Sequence, residues 1–478
     1  MKIPARGLSK DQTLALLAEQ RGGSPWAEGK MFSFVFLGDE PGREVAEAAT
    51  QLFLWENGLD PLVFPALARF ENEVVAMSLD HLGAGPEAVG SFTSGGTESV
   101  MLAVKAARDH ALARGVEGPV EMVLPATAHP CFHKAAAYLG VRAIVTPVDP
   151  ARFTADVSAM RQAITDRTAL LVGSAPSYAH GVVDPIPELG ALARERGLLL
   201  HIDGCIGAFT LPFFRRLGVE FPDFDLSVPG VTSISMDLHK YGYVPKGASV
   251  VLYNDAALRR HQLFVFSDWP GYSIVNPTVQ SSKSGGPLAA AWAALHYYGD
   301  DGLMAIARAL KGAVDRLVEG IDAIEGLSVM APPAMTLIAV RGEGLCVFSL
   351  CEEMKRRGGW YIHPQFRSGP LPENFHLTVV PRNVDQIEPF LADLAACVAA
   401  QREGKRRSGG GLAEAIAGLD LASLDDAALA GLIAQLGLAG GKLENRGEVN
   451  QILNALPAAV RDRLLLAYVD ALFRPARD

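Results

Sequence analysis

From about residue 88 to residue 253, the chain alternates short apolar runs with longer stretches of helical periodicity. The runs are bounded by Gly, Pro or Asp and read VGSFTS, EMVLPA, RAIVTP, ALLVGSAP, LLLHID and ASVVLY. Helical patterns such as SVMLAVKAARDHALA and IPELGALARERG lie between several of them. Apolar runs of this kind are typical of strands buried on both faces. The alternation therefore predicts an α/β fold with a mostly parallel sheet and helices on both of its faces.

Changes in pattern divide the 478 residues into more than one folding unit, as the length alone suggests. We predict an N-terminal arm (1–60), a large domain (61–290), a smaller α+β domain (291–401), a linker (402–411) and a helical tail (412–478). The smaller domain contains the candidate strands TLIAV and FHLTVV around the helix-like stretch CVFSLCEEMKRR. The linker is predicted from the sequence REGKRRSGGG.

Charge and cysteine content exclude several classes of protein. A net charge of −10 argues against a nucleic-acid partner, because phosphate binding normally requires a basic surface. The five cysteines form no C-x-x-C pair, which fits a reducing cytoplasm better than a disulfide framework. The first residues lack the apolar core of a signal peptide, and no run of 18 apolar residues predicts a membrane span. No metal site is expected.

The stretch FTSGGTES lies between a predicted strand and a predicted helix. Gly95 and Gly96 allow a ligand close to the backbone, while Ser94 and Thr97 supply hydroxyl groups at the start of the helix. The unpaired N–H groups of a helix N-terminus suit a phosphate. The stretch lacks the motifs of ATP-binding and dinucleotide-binding loops. Alone, it fits a phosphate site or an ordinary helix start equally well.

Two further features make a cofactor site more specific. Asp203 closes the apolar run LLLHI, and the pair His239–Lys240 follows the strand-like SISM. A strand-end aspartate alone is often only a turn residue. A phosphate cradle, a strand-end acid and a lysine after another strand are together the parts of a pyridoxal phosphate site. In such a site the lysine binds the cofactor covalently, and the acid pairs with the pyridine nitrogen.

Five stretches carry a resemblance to a known family: TSGGTES, AHPCFHKAA, SYAHGVVDPI, HIDGCIGAF and SISMDLHKYGYVPKG. They closely resemble motifs of the sphingosine-1-phosphate lyases, which belong to the group II pyridoxal-phosphate-dependent decarboxylase superfamily. The resemblance runs from about residue 22 to residue 400. It implies a type I pyridoxal-phosphate fold (aspartate aminotransferase-like), pyridoxal 5'-phosphate as the cofactor, and a homodimer with shared active sites.

The resemblance also implies roles for individual residues. His129 is expected to stack on one face of the cofactor ring, and Cys205 to pack near the other face. Tyr178 is a candidate general acid or base beside the substrate. The full set of implied cofactor contacts is Ser94, Gly95, Gly96, Thr97, His129, Asp203, Cys205, Ser235, His239, Lys240, Ser284, Gly285 and Gly286, the last three reaching a neighbouring subunit's cofactor.

The chain departs from the family where the lyases bind the substrate phosphate. Leu37 replaces a tyrosine in SFVFL, and Asp60 replaces a histidine in NGLDP, although Asn57 of the same stretch is kept. Lys283 stands in place of an arginine. Lys246 is kept in the implied substrate pocket, where it could pair with Asp60 or with another anionic group. A carboxylate facing a phosphate is unfavourable. We therefore expect a substrate other than sphingosine 1-phosphate.

These features predict a carbon–carbon lyase that acts on a small amine or amino acid. Retro-aldol cleavage, as in the lyases, and amino-acid decarboxylation both remain open. For carboxylate binding, Arg382 is the candidate residue. An aminotransferase is disfavoured because no such motif is present. A non-catalytic paralogue is disfavoured because Asp203, Lys240 and His129 are all retained.

Overall fold

The computed structural model describes residues 3–21, 25–404, 431 and 446–475. The helices are α1 (Lys10–Arg21), α2 (Glu40–Leu52), α3 (Pro65–His81), α4 (Gly96–Ala113), α5 (Cys131–Leu139), α6 (Val157–Ala163), α7 (Ile186–Arg196), α8 (Leu211–Arg216), α9 (Ala256–Arg260), α10 (Gly285–Asp322), α11 (Val347–Gly358), α12 (Ile387–Arg402), α13 (Arg446–Ala455) and α14 (Ala458–Leu472). A 3₁₀ helix spans Pro381–Gln386.

The strands are β1 (Val89–Thr93), β2 (Glu121–Pro125), β3 (Arg142–Thr146), β4 (Thr168–Ser174), β5 (Leu199–Asp203), β6 (Ser233–Met236), β7 (Ser249–Tyr253), β8 (Phe264–Phe266), β9 (Ile274–Asn276), β10 (Leu327–Val329), β11 (Leu337–Gly342), β12 (His363–Gln365) and β13 (Asn374–Thr378). Seven of them form a large sheet, four a smaller antiparallel sheet, and β8 and β9 a hairpin.

The large sheet has the strand order β1-β7-β6-β5-β4-β2-β3, and only β7 runs against its neighbours. This confirms the predicted mostly parallel sheet. All seven residues of β4 are buried, as expected for an apolar run covered on both faces. Because β1, β2, β4, β5 and β6 point in one direction, the segments that follow them meet at one edge of the sheet.

The four-stranded sheet lies beyond α10 in the chain and contains both strands predicted there. The long helix α10 consists of two helical segments that meet at a kink at Gly299 (φ 54°, ψ −173°). Glycine adopts a positive φ at little cost, so the helix continues beyond this kink. The predicted boundary between the large and the smaller domain, at residue 290, falls inside α10. The domain bounds therefore stay a prediction.

Part of the predicted N-terminal arm packs into the small domain. The backbone N–H of Phe32 donates to the carbonyl of Tyr361 at 3.1 Å, and the N–H of Thr378 donates to the carbonyl of Phe32 at 3.0 Å. The Phe32 ring is fully buried, 4.6 Å from the ring of Phe390. This anchoring fixes the start of the segment that leads to Leu37.

Two predictions concern the end of the chain and the membrane. The predicted linker past 404 lies outside the described residues, as does the tail up to 445 except for position 431. The rest of the tail contains α13 and α14. None of the helices in the described part of the chain has the length and apolar character that a membrane crossing requires.

Candidate active site

A buried ion pair occupies the centre of the edge where the parallel strands end. Lys240 lies in the turn after β6, and its Nζ is 3.0 Å from Oδ2 of Asp237. Burial is the largest single effect on both groups and opposes both charges, but the surrounding groups together outweigh it. These groups are Asp237, Cys205 and Asp203 around Lys240, and Lys240, His239 and Ser249 around Asp237. The pKa of Lys240 is therefore held above its ordinary value, and the pKa of Asp237 well below. In the protein without cofactor, Lys240 is a paired ammonium ion.

His239 completes this group through its two ring nitrogens. Its Nδ1 accepts a hydrogen bond from the backbone N–H of Ala248 at 3.2 Å. Its Nε2 lies 3.5 Å from Oδ2 of Asp237. A ring whose Nδ1 accepts must carry its proton on Nε2, so that proton points to the carboxylate. The His239 ring is thereby fixed above the loop that follows β1.

The loop after β1 forms a cradle that only glycine can line. A Cβ atom on Gly95 would lie 3.2 Å from Cε1 of His239. One on Gly96 would lie 2.7 Å from Sγ of Cys205 and 2.8 Å from the carboxylate oxygens of Asp237. Gly96 also begins α4, whose first N–H groups have no acceptor within the helix. These features fit a phosphate group at this position.

Glu98 holds the same loop in place. Its Oε2 accepts from the backbone N–H of Ser94 at 2.6 Å, and its Oε1 accepts from the N–H of Val279 at 2.7 Å. The N–H of Ser94 is therefore already used, whereas the exposed side chains of Ser94 and Thr97 face outward at the start of α4. If Ser94 contacts the phosphate as expected, it must do so through its hydroxyl group and not through its backbone N–H.

Asp203 ends β5 beside β6, in register with Ser235. Its Oδ1 accepts from the backbone N–H of Cys205 at 3.1 Å. The Cys205 thiol in turn donates to Oγ of Ser235 at 3.1 Å. Burial and the neighbouring carboxylate of Asp203 raise the pKa of Cys205 well above its usual value. Cys205 is thus a neutral packing group and not a nucleophile.

His129 and Tyr178 line one cavity of about 200 Å³. His129 follows β2 and accepts from the N–H of Cys131 at 3.2 Å, while Tyr178 follows β4. The Tyr178 ring lies 4.5 Å from that of His376 on β13. Burial raises the pKa of Tyr178, although the Thr378 hydroxyl and the charge of Lys240 oppose this. The phenol is consequently protonated at neutral pH and lies within the field of Lys240.

The residues expected to bind substrate do not form a cationic pocket. Lys246 Nζ lies 4.9 Å from the centre of the ring of Phe36, the residue that precedes Leu37 in the chain. It also donates to the carbonyl of His239 at 3.3 Å. Oδ1 of Asp60 instead accepts from the N–H of Leu62 at 2.9 Å. The pairing of Lys246 with Asp60 considered from the sequence is therefore not observed between described residues.

Asn57 fastens the loop that begins α10. Its Oδ1 accepts from the N–H of Lys283 at 3.0 Å, and Lys283 Nζ is bound by Oε2 of Glu71 at 2.6 Å. Lys283 is therefore already paired. Ser284 is exposed, whereas Gly285 and Gly286 are buried against α2. Packing within one chain is therefore enough to explain why both positions require glycine. Contact with a neighbouring subunit's cofactor stays a prediction.

Two features of the site differ from what the sequence suggested. Arg382, the candidate carboxylate ligand, is paired with Glu40 at 2.7 Å. Asp237 was not singled out, although its spacing to Lys240 in the stretch DLHK is the signal for this pair. Glu98 was also missed, because its contact with Val279 joins residues 181 positions apart in the chain.

Comparisons with known proteins agree with this arrangement. Residues 48–342 match the model of the pyridoxal-dependent decarboxylase conserved domain, and 410–471 match a pyridoxal-dependent enzyme C-terminal putative HTH domain. The chain is 36% identical to sphingosine-1-phosphate lyase of Arabidopsis thaliana, over 94% of this chain and 79% of that one. The chain belongs to the pyridoxal-dependent decarboxylase family. Within that family it is sphingosine-1-phosphate lyase-like.

Other relatives support the same placement. Sphingosine-1-phosphate lyase 1 of Rattus norvegicus is 37% identical, over 88% of this chain and 74% of that one. The structure of sphingosine-1-phosphate lyase from Burkholderia pseudomallei K96243 has a TM-score of 0.80 and 36% identity, covering 84% of this chain and 92% of that one. Glutamate decarboxylase of Lactobacillus brevis (TM-score 0.75, 20% identity, 84% of this chain and 94% of that one) shares the fold. The type I fold is confirmed.

Pyridoxal 5'-phosphate is therefore the cofactor, and the chain's own residues fit it. The glycine cradle at the start of α4 leaves no room for side chains and suits a phosphate. Lys240 is an amine at the same edge, and Asp203 provides a second carboxylate there. The enzyme is a lyase that takes a small-molecule substrate.

Removal of the Asp237 carboxylate should destabilise the cofactor-free enzyme. In Asp237→Asn, Lys240 would lose its buried counter-ion. Breaking such a pair costs roughly 3 kcal/mol, the lower end of the known range, because a quarter of the Lys240 side chain is exposed. Chemical denaturation of the apoenzyme measures this loss. Asp300→Asn, which breaks the exposed pair with Arg216, is the control and should cost under about 1 kcal/mol. Equal losses in both variants would contradict the central role of Asp237.

Proposed function

We propose that this enzyme cleaves the carbon–carbon bond of a β-hydroxy amine by a retro-aldol reaction and releases an aldehyde. The observation that carries the proposal is the position of Tyr178, a protonated phenol beside the cavity and within the field of Lys240. Amino-acid decarboxylation would need a group that holds the substrate carboxylate. The candidate, Arg382, is occupied by Glu40.

We propose that Lys240 binds the cofactor covalently and that Asp203 pairs with its pyridine nitrogen. The loop of Gly95 and Gly96, with Ser94, Thr97, Ser235 and His239, would hold the phosphate; His129 and Cys205 would pack on the two ring faces. When bound, the cofactor supplies an electron sink for the bond that breaks. Since Lys240 is a paired ammonium ion, it must lose a proton before it can act as a nucleophile.

Tyr178 is the group placed to manage the proton of the substrate hydroxyl. That proton must leave as the carbon–carbon bond breaks and the aldehyde forms. Because the pKa of Tyr178 is raised, its phenol stays protonated, and its oxygen would accept a hydrogen bond from the substrate hydroxyl. The substrate proton would pass to the phenol oxygen as the phenol's own proton passes to a water molecule.

The proposed substrate is not a phosphorylated long-chain amine. Leu37 offers no hydrogen-bond donor, Asp60 adds a negative charge, and Lys283 is neutralised by Glu71. Asn57 binds its own loop. Lys246 is the remaining cation at the family's phosphate positions. Burial of its ammonium and the nearby charge of Lys240 lower its pKa to about 8.

We also propose a cytoplasmic homodimer. Trp55, Leu62 and the hairpin residues Phe264–Phe266 are exposed in the single chain. The hairpin is joined to the loop before α10 by the hydrogen bond from Asn276 to Ser281. Apolar surface of this extent favours a protein interface. A second copy would also bring its Ser284–Gly286 loop to this chain's site. The described cysteines are all free, which fits a reducing compartment.

The reaction class can be decided by product analysis. Purified holoenzyme is incubated with unphosphorylated β-hydroxy amines and, separately, with amino acids. We expect aldehyde from the first set and no carbon dioxide from the second. Tyr178→Phe should lower kcat by about 100-fold or more, because it removes a positioned acid–base group. Tyr138→Phe, at an exposed site on α5, is the matched control and should keep full activity. Carbon dioxide without aldehyde would reject the proposal.

Binding of phosphorylated analogues should weaken at alkaline pH. A lysine whose pKa is lowered to about 8 is mostly charged at pH 7 and mostly neutral at pH 9. We therefore expect the KM of a phosphorylated amine, divided by that of its unphosphorylated analogue, to rise across this interval. Lys246→Arg stays charged and should give a flat ratio. A rise that persists in Lys246→Arg would show that another group is responsible.

Shared active sites can be tested by complementation. Lys240→Ala lacks the cofactor lysine, and Ser284→Glu places a negative charge on the loop proposed to face the neighbouring cofactor. Each variant alone should have little activity. After subunit exchange, about half of the dimers are hybrids with one intact site, so about a quarter of normal activity should return. If exchange is complete and no activity returns, the sites are not shared.

A further inference from the structure

Four residues that line the cavity beside Tyr178 each have one buried polar atom that the fold leaves without a hydrogen-bond partner. These atoms are Oγ1 of Thr127, Nδ1 of His180, Nε2 of Gln365 and Oδ1 of Asn374. A buried polar atom without a hydrogen bond costs roughly 1–3 kcal/mol. Such atoms also occur elsewhere among the described residues, but these four belong to residues around one cavity, and we interpret them as the sign of a recognition site.

These four residues come from different parts of the chain. Thr127 follows β2 and His180 follows β4, while Gln365 and Asn374 are opposite each other on β12 and β13. The His180 ring is stacked on Phe153 at 4.4 Å and is fixed in orientation. Their convergence beside Tyr178 places hydrogen-bonding atoms next to the proposed reaction centre.

The cavity has the wrong electrostatics for a phosphate. Among the described residues that line it, there is no Lys, Arg, Asp or Glu. Burial lowers the pKa of His180 to about 4, so its ring is neutral at physiological pH. His376, behind Tyr178, has its pKa lowered to about 3 by burial and by its histidine neighbours. A dianion here would be desolvated without a counter-charge.

We propose that this cavity binds an uncharged, hydroxylated part of the substrate. Gln365 supplies a donor and Asn374 an acceptor, while Thr127 and neutral His180 can adapt to either role. A hydroxyl group both donates and accepts, so it matches such a mixture. The inference rests on the proposed function and specifies its substrate class, an unphosphorylated amine whose chain has further hydroxyl groups. These hydroxyl groups would form hydrogen bonds with Thr127, His180, Gln365 and Asn374.

The test compares three β-hydroxy amines of equal length: one polyhydroxylated, one with a plain alkyl chain and one phosphorylated. For the unmodified holoenzyme, kcat/KM should be highest for the polyhydroxylated amine. Thr127→Val keeps the side-chain volume and removes the hydroxyl. It should lower kcat/KM for the polyhydroxylated amine about tenfold, mainly through KM, and change the alkyl amine less than about twofold.

Thermal unfolding distinguishes recognition from a structural role. Because the Thr127 hydroxyl has no partner in the fold, Thr127→Val should leave Tm unchanged or raise it. Asn374→Leu is a second variant with the same expectation for substrate preference. The control is Tyr253→Phe on β7, whose hydroxyl is also buried and unpartnered but lies outside the cavity. It should leave the substrate preference unchanged.

The outcomes separate this inference from the proposed function. If no β-hydroxy amine yields aldehyde, the proposed function itself fails. If aldehyde forms but the alkyl or phosphorylated amine is preferred, the function stands and the hydroxyl-binding cavity is rejected. The same holds if Thr127→Val and Asn374→Leu affect all three substrates equally, since the cavity would then hold water only.

Discussion

The active site depends on a buried ion pair between Lys240 and Asp237 at the edge where the parallel strands end. Each charge would be unfavourable alone, and each is stabilised by the other. The Asp237 carboxylate also faces Nε2 of His239, the ring nitrogen that carries the proton. It lies against Gly96 in the cradle as well. One carboxylate thus links Lys240, His239 and the glycine loop that begins α4. This explains why a glycine is required where a larger residue would displace that carboxylate.

The two sides of the site have different electrostatic character. The cofactor side is charged, with Lys240, Asp237 and Asp203 grouped at the strand ends. The cavity beside Tyr178 is polar but has no charged residue among its described lining, and burial keeps His180 and the nearby His376 neutral. Such a division suits an enzyme whose cofactor supplies the charge and phosphate, while the substrate is recognised by hydrogen bonds. Tyr178 lines the uncharged cavity and also experiences the charge of Lys240.

Contacts between distant segments engage two lysines that the sequence comparison with the lyases places near the substrate, Lys283 and Lys246. Lys283 and Glu71 are 212 residues apart in the chain and pair at 2.6 Å, which removes a cation from the pocket. The N-terminal segment, anchored in the small domain by Phe32, brings Phe36 beneath Lys246. The first contact neutralises the charge of Lys283, and the second covers one side of the Lys246 ammonium. They arise from packing between elements and not from the motifs themselves.

The sequence alone determined the strands of the large sheet and the positions of Lys240, Asp203 and the glycine loop. Continuous apolar runs identify buried strands, and short motifs keep their chemistry within a few residues. It did not reveal which polar groups already have partners, such as Arg382 with Glu40, or that two helical patterns join at Gly299. The cavity of Thr127, His180, Gln365 and Asn374 was equally hidden. Its atoms come from separate segments, and only the packing of two sheets brings them together, because local periodicity carries no information about distant neighbours.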